Sequence, residues 1–222
     1  MTTEPTVRYD GLTEPLPLEQ HSLYRKIDRI VRELPPGRVL EVGCLDGRFL
    51  ARLRDRGWSV AGIDLVPNAA PYVVRHDASQ PFPFGREFDL VIAAEVIEHV
   101  AGTDAFLANC SAVLKPGGTL ILTTPNLLFG VNRLLMLLGK TPRIAYADYH
   151  LRMFVWADLR EKIARRFRIE RVQGSHVLLG MRRGRAAEVF ARLGDRWPTL
   201  SAHFIVTATT LDIAPTPPEE AR

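Results

Sequence analysis

Glu41 stands next to last in the apolar run RVLEV, which is followed by the turn GCLDG, in which Gly43 and Gly47 flank three residues before an apolar-periodic segment, RFLARLR, resumes. The first glycine lets a backbone approach a ligand with no Cβ in the way, and the second lets the next helix pack closely. A second apolar run, WSVAGIDL, carries Asp64 near its end, twenty-three residues beyond Glu41. A carboxylate there can hydrogen-bond both hydroxyls of a ribose. Asp77, within RHDASQPFPF, falls in the next loop, where it can accept from an adenine amino group. The dinucleotide pattern G-x-G-x-x-G is missing, and Glu41 would oppose a diphosphate while favouring a cation. The pattern describes a pocket for an adenosine that carries no phosphate. Leu45, between the glycines, requires that the turn keep φ negative there or accept strain.

A second set of reactive side chains lies in AEVIEHV, where Glu95, Glu98 and His99 are spaced i, i+3 and i+4. On a helical turn these would converge on one face. Carboxylate and imidazole ligands suit a divalent metal, and an imidazole titrating near neutrality suits a general base; a plain scaffold role competes with both. His150, in YADYHLRMF, is the other catalytic candidate, competing with a partly buried anchor for the segment around it. Tyr146 and Tyr149 can line an aromatic acceptor or simply pack. His76 and His176 have no comparable placement. Cys44 and Cys110 stand far apart with no CxxC or Cys/His cluster, which excludes a disulfide framework and a structural zinc site and leaves both as small buried residues.

The elements that must hold these groups alternate. Residues 19–34 have helical spacing at Leu23, Ile27, Ile30, Val31 and Leu34, stopped by Pro35, Pro36 and Gly37. Strand RVLEVG, helix GRFLARLRDRG and strand WSVAGIDL follow, then a Pro-rich link, strand FDLVIAA, a helix near DAFLANCSAVL, a turn at KPGG and strand TLILTTPN. Such alternation predicts an open, doubly wound α/β sheet with its crevice at the carboxyl ends of the strands. After Asn126 an apolar insertion, about 127–155, precedes a helix at about 156–166 and two last strands, RIERVQGSHVLLG and SAHFIVTATT, separated by a helix near RAAEVFARLG. Arg133, Lys140 and Arg143 punctuate the insertion, which fits burial against the domain, a lid over a hydrophobic acceptor, or an interfacial helix at an anionic membrane through 127–140. Residues 1–18 read as a flexible arm, 19–212 as one domain and 213–222 as a disordered tail.

Five stretches, LEVGCLDGRFL, AGIDL, HDASQPFPF, FDLVIAAEVIEHV and LKPGGTLILTTPN, stand in the order and spacing of the class I S-adenosylmethionine-dependent methyltransferases, and the chain resembles that family from about residue 38 to 126. The resemblance implies a mostly parallel, seven-stranded Rossmann-like sheet. It implies a donor site formed by Glu41, Gly43, Cys44, Gly47, Asp64, Leu65, Asp77, Ala78, Ala94 and Glu95, with Asp64 on the ribose, Asp77 and Ala78 at the adenine, and the backbone of Ala94 and Glu95 facing the donor. S-adenosylhomocysteine is the implied product. AEVIEHV is similar to the E-x-x-E-H-V stretch of ubiquinone-biosynthesis O-methyltransferases, where it implies a divalent cation near a catechol oxygen; the weight of readings here falls against a resident metal. His150 matches an H-x-x-x-F stretch beside the acceptor pocket in the same group. The insertion and HLRMFVWADL also resemble MetW-like proteins, which offers an alternative: an accessory or regulatory protein that binds the donor without its own turnover.

The remaining bounds are broad. A formal net charge of +4 over 222 residues reflects arginines spread among glutamates and apolar residues, a solvated basic face more than a nucleic-acid surface. No apolar run reaches the roughly 20 residues of a membrane span, and the opening segment has no signal-peptide core, so a cytoplasmic enzyme acting on a small-molecule acceptor, with oxygen as the expected methyl acceptor atom, is expected. Replacing Asp64 by alanine should weaken donor binding sharply; unchanged affinity by titration calorimetry would remove the nucleoside assignment.

Overall fold

The computed structural model describes residues 22–66, 70–146, 150–177 and 185–211; the expected arm and tail lie outside them. Helix α1 (Ser22–Val31) leads into strand β1 (Arg38–Val42), helix α2 (Arg48–Arg54), and strands β2 (Ser59–Asp64) and β3 (Val73–Arg75). Strand β4 (Phe88–Ala94), helix α3 (Thr103–Val113), strand β5 (Leu114–Pro125) and helices α4 (Gly130–Leu137) and α5 (Trp156–Ala164) follow. Strand β6 (Phe167–Gly174), helix α6 (Arg185–Arg196) and strand β7 (His203–Thr210) complete the order.

The strands form a seven-stranded sheet ordered β3-β2-β1-β4-β5-β7-β6. Strands β1 to β5 pair in parallel, whereas β7 runs antiparallel to both β5 and β6. The expected doubly wound, mostly parallel sheet is therefore the observed one. Because helices cover both faces, the central strands are near-continuous apolar runs, and successive residues bury on opposite sides. Leu40, Val42, Val91, Ala93, Leu120 and Leu122 share a cluster with Phe106 and Cys110 of α3 and Leu159 and Ile163 of α5. Val39, Leu90, Ile92 and Ile121 share the other with Leu23 and Ile27 of α1 and Phe49, Leu50 and Leu53 of α2.

One polar contact crosses this scheme. Lys26, on the inward face of α1, donates to the carbonyls of Gly174 (2.5 Å) and Ala191 (2.8 Å) and to the Asp195 carboxylate (2.5 Å), joining the first helix to the end of β6 and to α6. Burial lowers the Lys26 pKa, and Asp195 opposes that shift.

Two local expectations are corrected. The stretch 71–77 is not merely a link: it holds β3, a three-residue, half-exposed edge strand too short to show a period. KPGG is not a separate turn but an irregularity within β5, where pairing jumps from Phe88↔Leu114 to Leu90↔Thr119 and Gly117 has φ 73°.

Packing against β2 is close at Gly62, where a Cβ would stand 2.7 Å from both Cys44 Sγ and Leu50 Cδ1. Gly62→Ala should lower stability by about 1–3 kcal/mol through overpacking. Chemical denaturation checks it, and a midpoint equal to the parent's would show that the donor turn can yield.

Candidate functional site

The order of the strands reverses between β1 and β4, and the loops after β1, β2, β3 and β4 therefore meet along one edge of the sheet. The strand ends and the loops after them carry Glu41 to Gly47, Asp64 and Leu65, Asp77 and Ala78, and Glu95. Three residues of the first loop occupy the left-handed region, Gly43 (φ 73°), Leu45 (φ 49°) and Gly47 (φ 70°). Leu45 thus takes the strained alternative, at a cost of about 1–2 kcal/mol for a side chain with a Cβ. Its amide donates to Asp64 Oδ2 at 2.7 Å, and the Val66 amide donates to Oδ1 at 2.8 Å, so the carboxylate is held by two backbone donors. Each oxygen keeps a second lone pair for a ligand hydroxyl.

Gly43 has a reason beyond φ, since a Cβ there would meet Val96 Cγ2 at 2.6 Å. The space is filled from the β4 side and is not left open to a ligand. Gly47 brings α2 close to Tyr72 and Val73, as expected. Glu41 is 1% exposed; Oε1 accepts from the Tyr24 hydroxyl at 3.2 Å, while Oε2 has no hydrogen-bond partner among the described residues. Burial pushes this carboxyl up to about 8, so it is mostly neutral at pH 7. A cation placed against Oε2 would restore its charge. Burial also raises the Cys44 thiol far out of the reactive range. Leu65 is exposed and Ala78 packs against the core. Asp77 is exposed, and its Oδ1 accepts from the Ser79 amide at 2.8 Å, which orients it within its own turn.

After β4 the expected convergence of Glu95, Glu98 and His99 does not occur. Glu95 has φ 57° and precedes the short 3-10 turn Ile97–His99, so no helical turn carries all three. Instead, neighbouring threonines of β5 draw the two carboxyls apart, because successive strand residues point to opposite faces. Thr123 donates to Glu95 Oε1 at 2.8 Å, and Thr124 donates to Glu98 Oε2 at 3.0 Å.

On the Thr123 side, Glu95 Oε2 lies 3.4 Å from His203 Nε2, and His203 Nδ1 is 2.9 Å from Ser175 Oγ. Burial pushes the His203 imidazole down to about 4, leaving it neutral at pH 7. His176, which had no distinguishing placement in the sequence, lies near it with ring centroids 6.1 Å apart and the ring planes tilted by 54°. On the Thr124 side, Glu98, His99 and His150 offer ligand atoms all within 4.8 Å of one another. Glu98 Oε1 is buried with no hydrogen-bond partner among the described residues and stands 3.8 Å from His99 Nε2. Burial raises the pKa of both carboxyls, and the charge of Glu95 raises that of Glu98 further. The His150 imidazole is lowered, first by burial and then by His99. One carboxylate and two imidazoles form a donor set that fits a divalent cation, but the set omits Glu95.

The structure thus brings both catalytic candidates, His99 and His150, together with Glu98. Tyr149 lies outside the described residues, and Tyr146 ends a 3-10 turn, Arg143–Tyr146. Asn126 is a clamp: its Nδ2 donates to the carbonyls of Thr199 and Ser201, and its Oδ1 accepts from the Leu128 amide. Tyr24, Thr123, Thr124, Ser175 and His203 were missed by the sequence reading. Strand alternation in HFIVTATT could have placed His203 on the same face as buried Ile205.

A methyltransferase-domain family matches residues 19–167. The ubiquinone biosynthesis O-methyltransferase of Chelativorans sp. (strain BNC1) is 30% identical over 174 residues, which are 72% of this chain and 65% of that protein. The mitochondrial ubiquinone biosynthesis O-methyltransferase of Homo sapiens is 34% identical over 125 residues, 45% of this chain and 34% of that protein. The chain therefore spans between about a third and two thirds of these relatives' length. Among solved structures, an S-adenosylmethionine-dependent methyltransferase from Mesorhizobium loti matches with a TM-score of 0.61 at 17% identity, covering 87% of this chain and 100% of the other. The Burkholderia thailandensis 1,6-didemethyltoxoflavin-N1-methyltransferase, solved with S-adenosylhomocysteine, matches at 0.58 and 18% identity over 87% of this chain and 80% of that one. These two likenesses are of fold.

The buried Glu41 carboxyl makes stability depend on pH with a defined sign. Its folded pKa, about 8, exceeds the ordinary 4.5, so the folded state holds the proton longer than the unfolded state. This contribution is complete below pH 4.5 and is lost as pH rises towards 8. Glu41→Gln should therefore gain thermal stability relative to the parent progressively between those values and level off above. A midpoint difference that does not change across that window would overturn the assignment of a neutral, desolvated Glu41.

Proposed function

The chain belongs to the methyltransferase-domain family, and from that membership we propose that it transfers a methyl group from S-adenosylmethionine to an oxygen atom of a small-molecule acceptor. The observation that carries the reading is the Asp64 carboxylate, fixed by the Leu45 and Val66 amides at the strand-order reversal, beside the unpartnered Glu41 oxygen. Asp64 binds the two ribose hydroxyls with its remaining lone pairs, Glu41 receives the ammonium of the methionine part, and Asp77 with Ala78 borders the adenine. Ala94 and Glu95 close the donor pocket from β4. Oxygen as the acceptor atom is supported by the ubiquinone biosynthesis O-methyltransferases that the chain resembles.

S-adenosylmethionine supplies, when bound, a methyl group on a sulfonium. The protein aligns the acceptor and keeps water away, and these two effects account for much of the acceleration of such a displacement. As the new C–O bond forms, the S–C electron pair returns to sulfur and the acceptor hydroxyl gives up its proton. The His150 imidazole takes that proton, with His99 beside it, their ring centroids 5.1 Å apart. Should a divalent cation bind, Glu98, His99 and His150 would hold it, and it would polarise the acceptor oxygen.

His150→Ala should lower turnover about 100-fold or more, the usual worth of a positioned base, while donor affinity stays within about a factor of two. Equal losses in turnover and donor affinity would make His150 a structural residue. Assay with a chelator separates the base from the metal, since full activity after metal removal assigns the histidines to proton transfer. Mass spectrometry of donor-dependent products in extract names the acceptor, and tight donor binding with no product on any acceptor would assign the accessory role.

A further inference from the structure

The proton transfer to His150 leaves one polar cluster at the crevice unused. Glu95, the first residue after β4, donates from its amide to the Thr123 carbonyl (3.2 Å) and hydroxyl (3.1 Å), and that hydroxyl donates back to Glu95 Oε1 at 2.8 Å. The reciprocal bonds hold the side chain in place although its backbone has φ 57°. Oε2 lies 3.4 Å from His203 Nε2, a loose contact by hydrogen-bond standards, and both side chains are 28% exposed. Strand β7 runs antiparallel to β5, so His203, its first residue, stands at the edge where β4 and β5 end.

The neighbours of His203 select its tautomer. The Ser175 hydroxyl, in a residue 1% exposed, accepts from the His203 amide at 3.2 Å and stands 2.9 Å from Nδ1. Donating its own hydrogen to Nδ1 satisfies both groups and leaves the ring hydrogen on Nε2, on the side of Glu95. Because burial keeps the imidazole neutral, it orients the Glu95 carboxylate without cancelling its charge.

Two electrostatic couplings locate the pair. The charge of Glu95 raises the pKa of Tyr24, whose hydroxyl bonds Glu41, and His203 lowers that of His150. Glu95 and His203 thus link the Tyr24–Glu41 corner to the proposed base. The donor carries an ammonium, which Glu41 receives in the reading above, and a sulfonium, whose methyl must point towards an acceptor beside His150. We propose that the Glu95 carboxylate, positioned by Thr123 and His203, faces the sulfonium and thereby distinguishes the donor from its spent product. The inference rests on the assignment of Asp64 and Glu41 to the donor. S-adenosylhomocysteine keeps the ammonium, ribose and adenine but has an uncharged thioether, so the attraction to Glu95 ends when the S–C electron pair returns to sulfur. An interaction stronger before transfer than during it does not lower the barrier. It favours the exchange of product for fresh donor. Burial raises the pKa of Glu95, and a cation placed against it restores its charge. Glu98 is unsuited to this task, since Thr124 and two histidines engage it on the other side.

Titration calorimetry of the full chain with S-adenosylmethionine and with S-adenosylhomocysteine tests the proposal. Glu95→Gln, which keeps the shape of the side chain, should raise Kd for S-adenosylmethionine about tenfold more than for S-adenosylhomocysteine, the loss expected for one charge pair in a cleft. Glu41→Gln should weaken both ligands by similar factors. His203→Ala should shift the ratio of the two constants in the same direction as Glu95→Gln, by about threefold, and His203→Gln, whose amide can still donate to the carboxylate, should restore most of it. A purely structural role for His203 would weaken both ligands together and leave the ratio alone. If His203→Ala loses its thermal midpoint as well, the ratio in Glu95→Gln decides. Equal losses for the two ligands in Glu95→Gln would overturn the proposal and leave the donor assignment of Asp64 standing. A parent that binds neither ligand would remove that assignment and this proposal with it.

Discussion

The hydrogen bond from the Leu45 amide to the Asp64 carboxylate is the contact on which the arrangement of the donor edge depends. It ties the loop after β1 to the end of β2, and it offsets a backbone conformation that a leucine otherwise avoids. Once Leu45 is turned this way, Gly47 can begin α2 against Tyr72, and Cys44 can lie over Gly62. The same bond aims the carboxylate. A residue that looks like a blemish in a glycine turn is thus part of the device that orients the acid.

A parallel constraint organises the acceptor side. Thr123 and Thr124 are adjacent, and the pleat of β5 sends them to opposite faces. Two carboxyls three positions apart in the chain are thereby given different neighbourhoods, Glu95 with His203 and Ser175, Glu98 with His99 and His150. Keeping them apart limits the repulsion that two buried acids would otherwise feel. The separation is incomplete, since the charge of Glu95 still raises the pKa of Glu98.

The strand ends and loops proposed to hold the donor were legible as structure because their signals are local: an apolar run that ends, a glycine that reverses the chain, an acid at the end of the next run. The acceptor side was less so. The spacing of Glu95, Glu98 and His99 reads as a helical face only if Glu95 shares the helix, and its φ of 57° removes it. His203 comes from the antiparallel strand β7, and nothing near Glu95 in the chain announces that a strand more than a hundred residues later will run beside β5 and bring an imidazole there. Strand β3 is too short to show a period. The insertion was readable as apolar, but composition does not say which way a helix faces, and here hydrogen bonds by Asn132 and Arg133 decide it.

The three hydrogen bonds of Lys26 bear on the order in which the chain becomes native. They span 148 to 169 residues, from the first helix to the end of β6 and to α6. Contacts of such separation form late, after the loops between them have closed. Tyr24, which covers Glu41, sits on that same helix, two residues before Lys26. The Tyr24 cover over Glu41 is therefore fastened only once β6 and α6 have formed, and a chain in which those elements are not yet folded has its parallel strands but not this fastening.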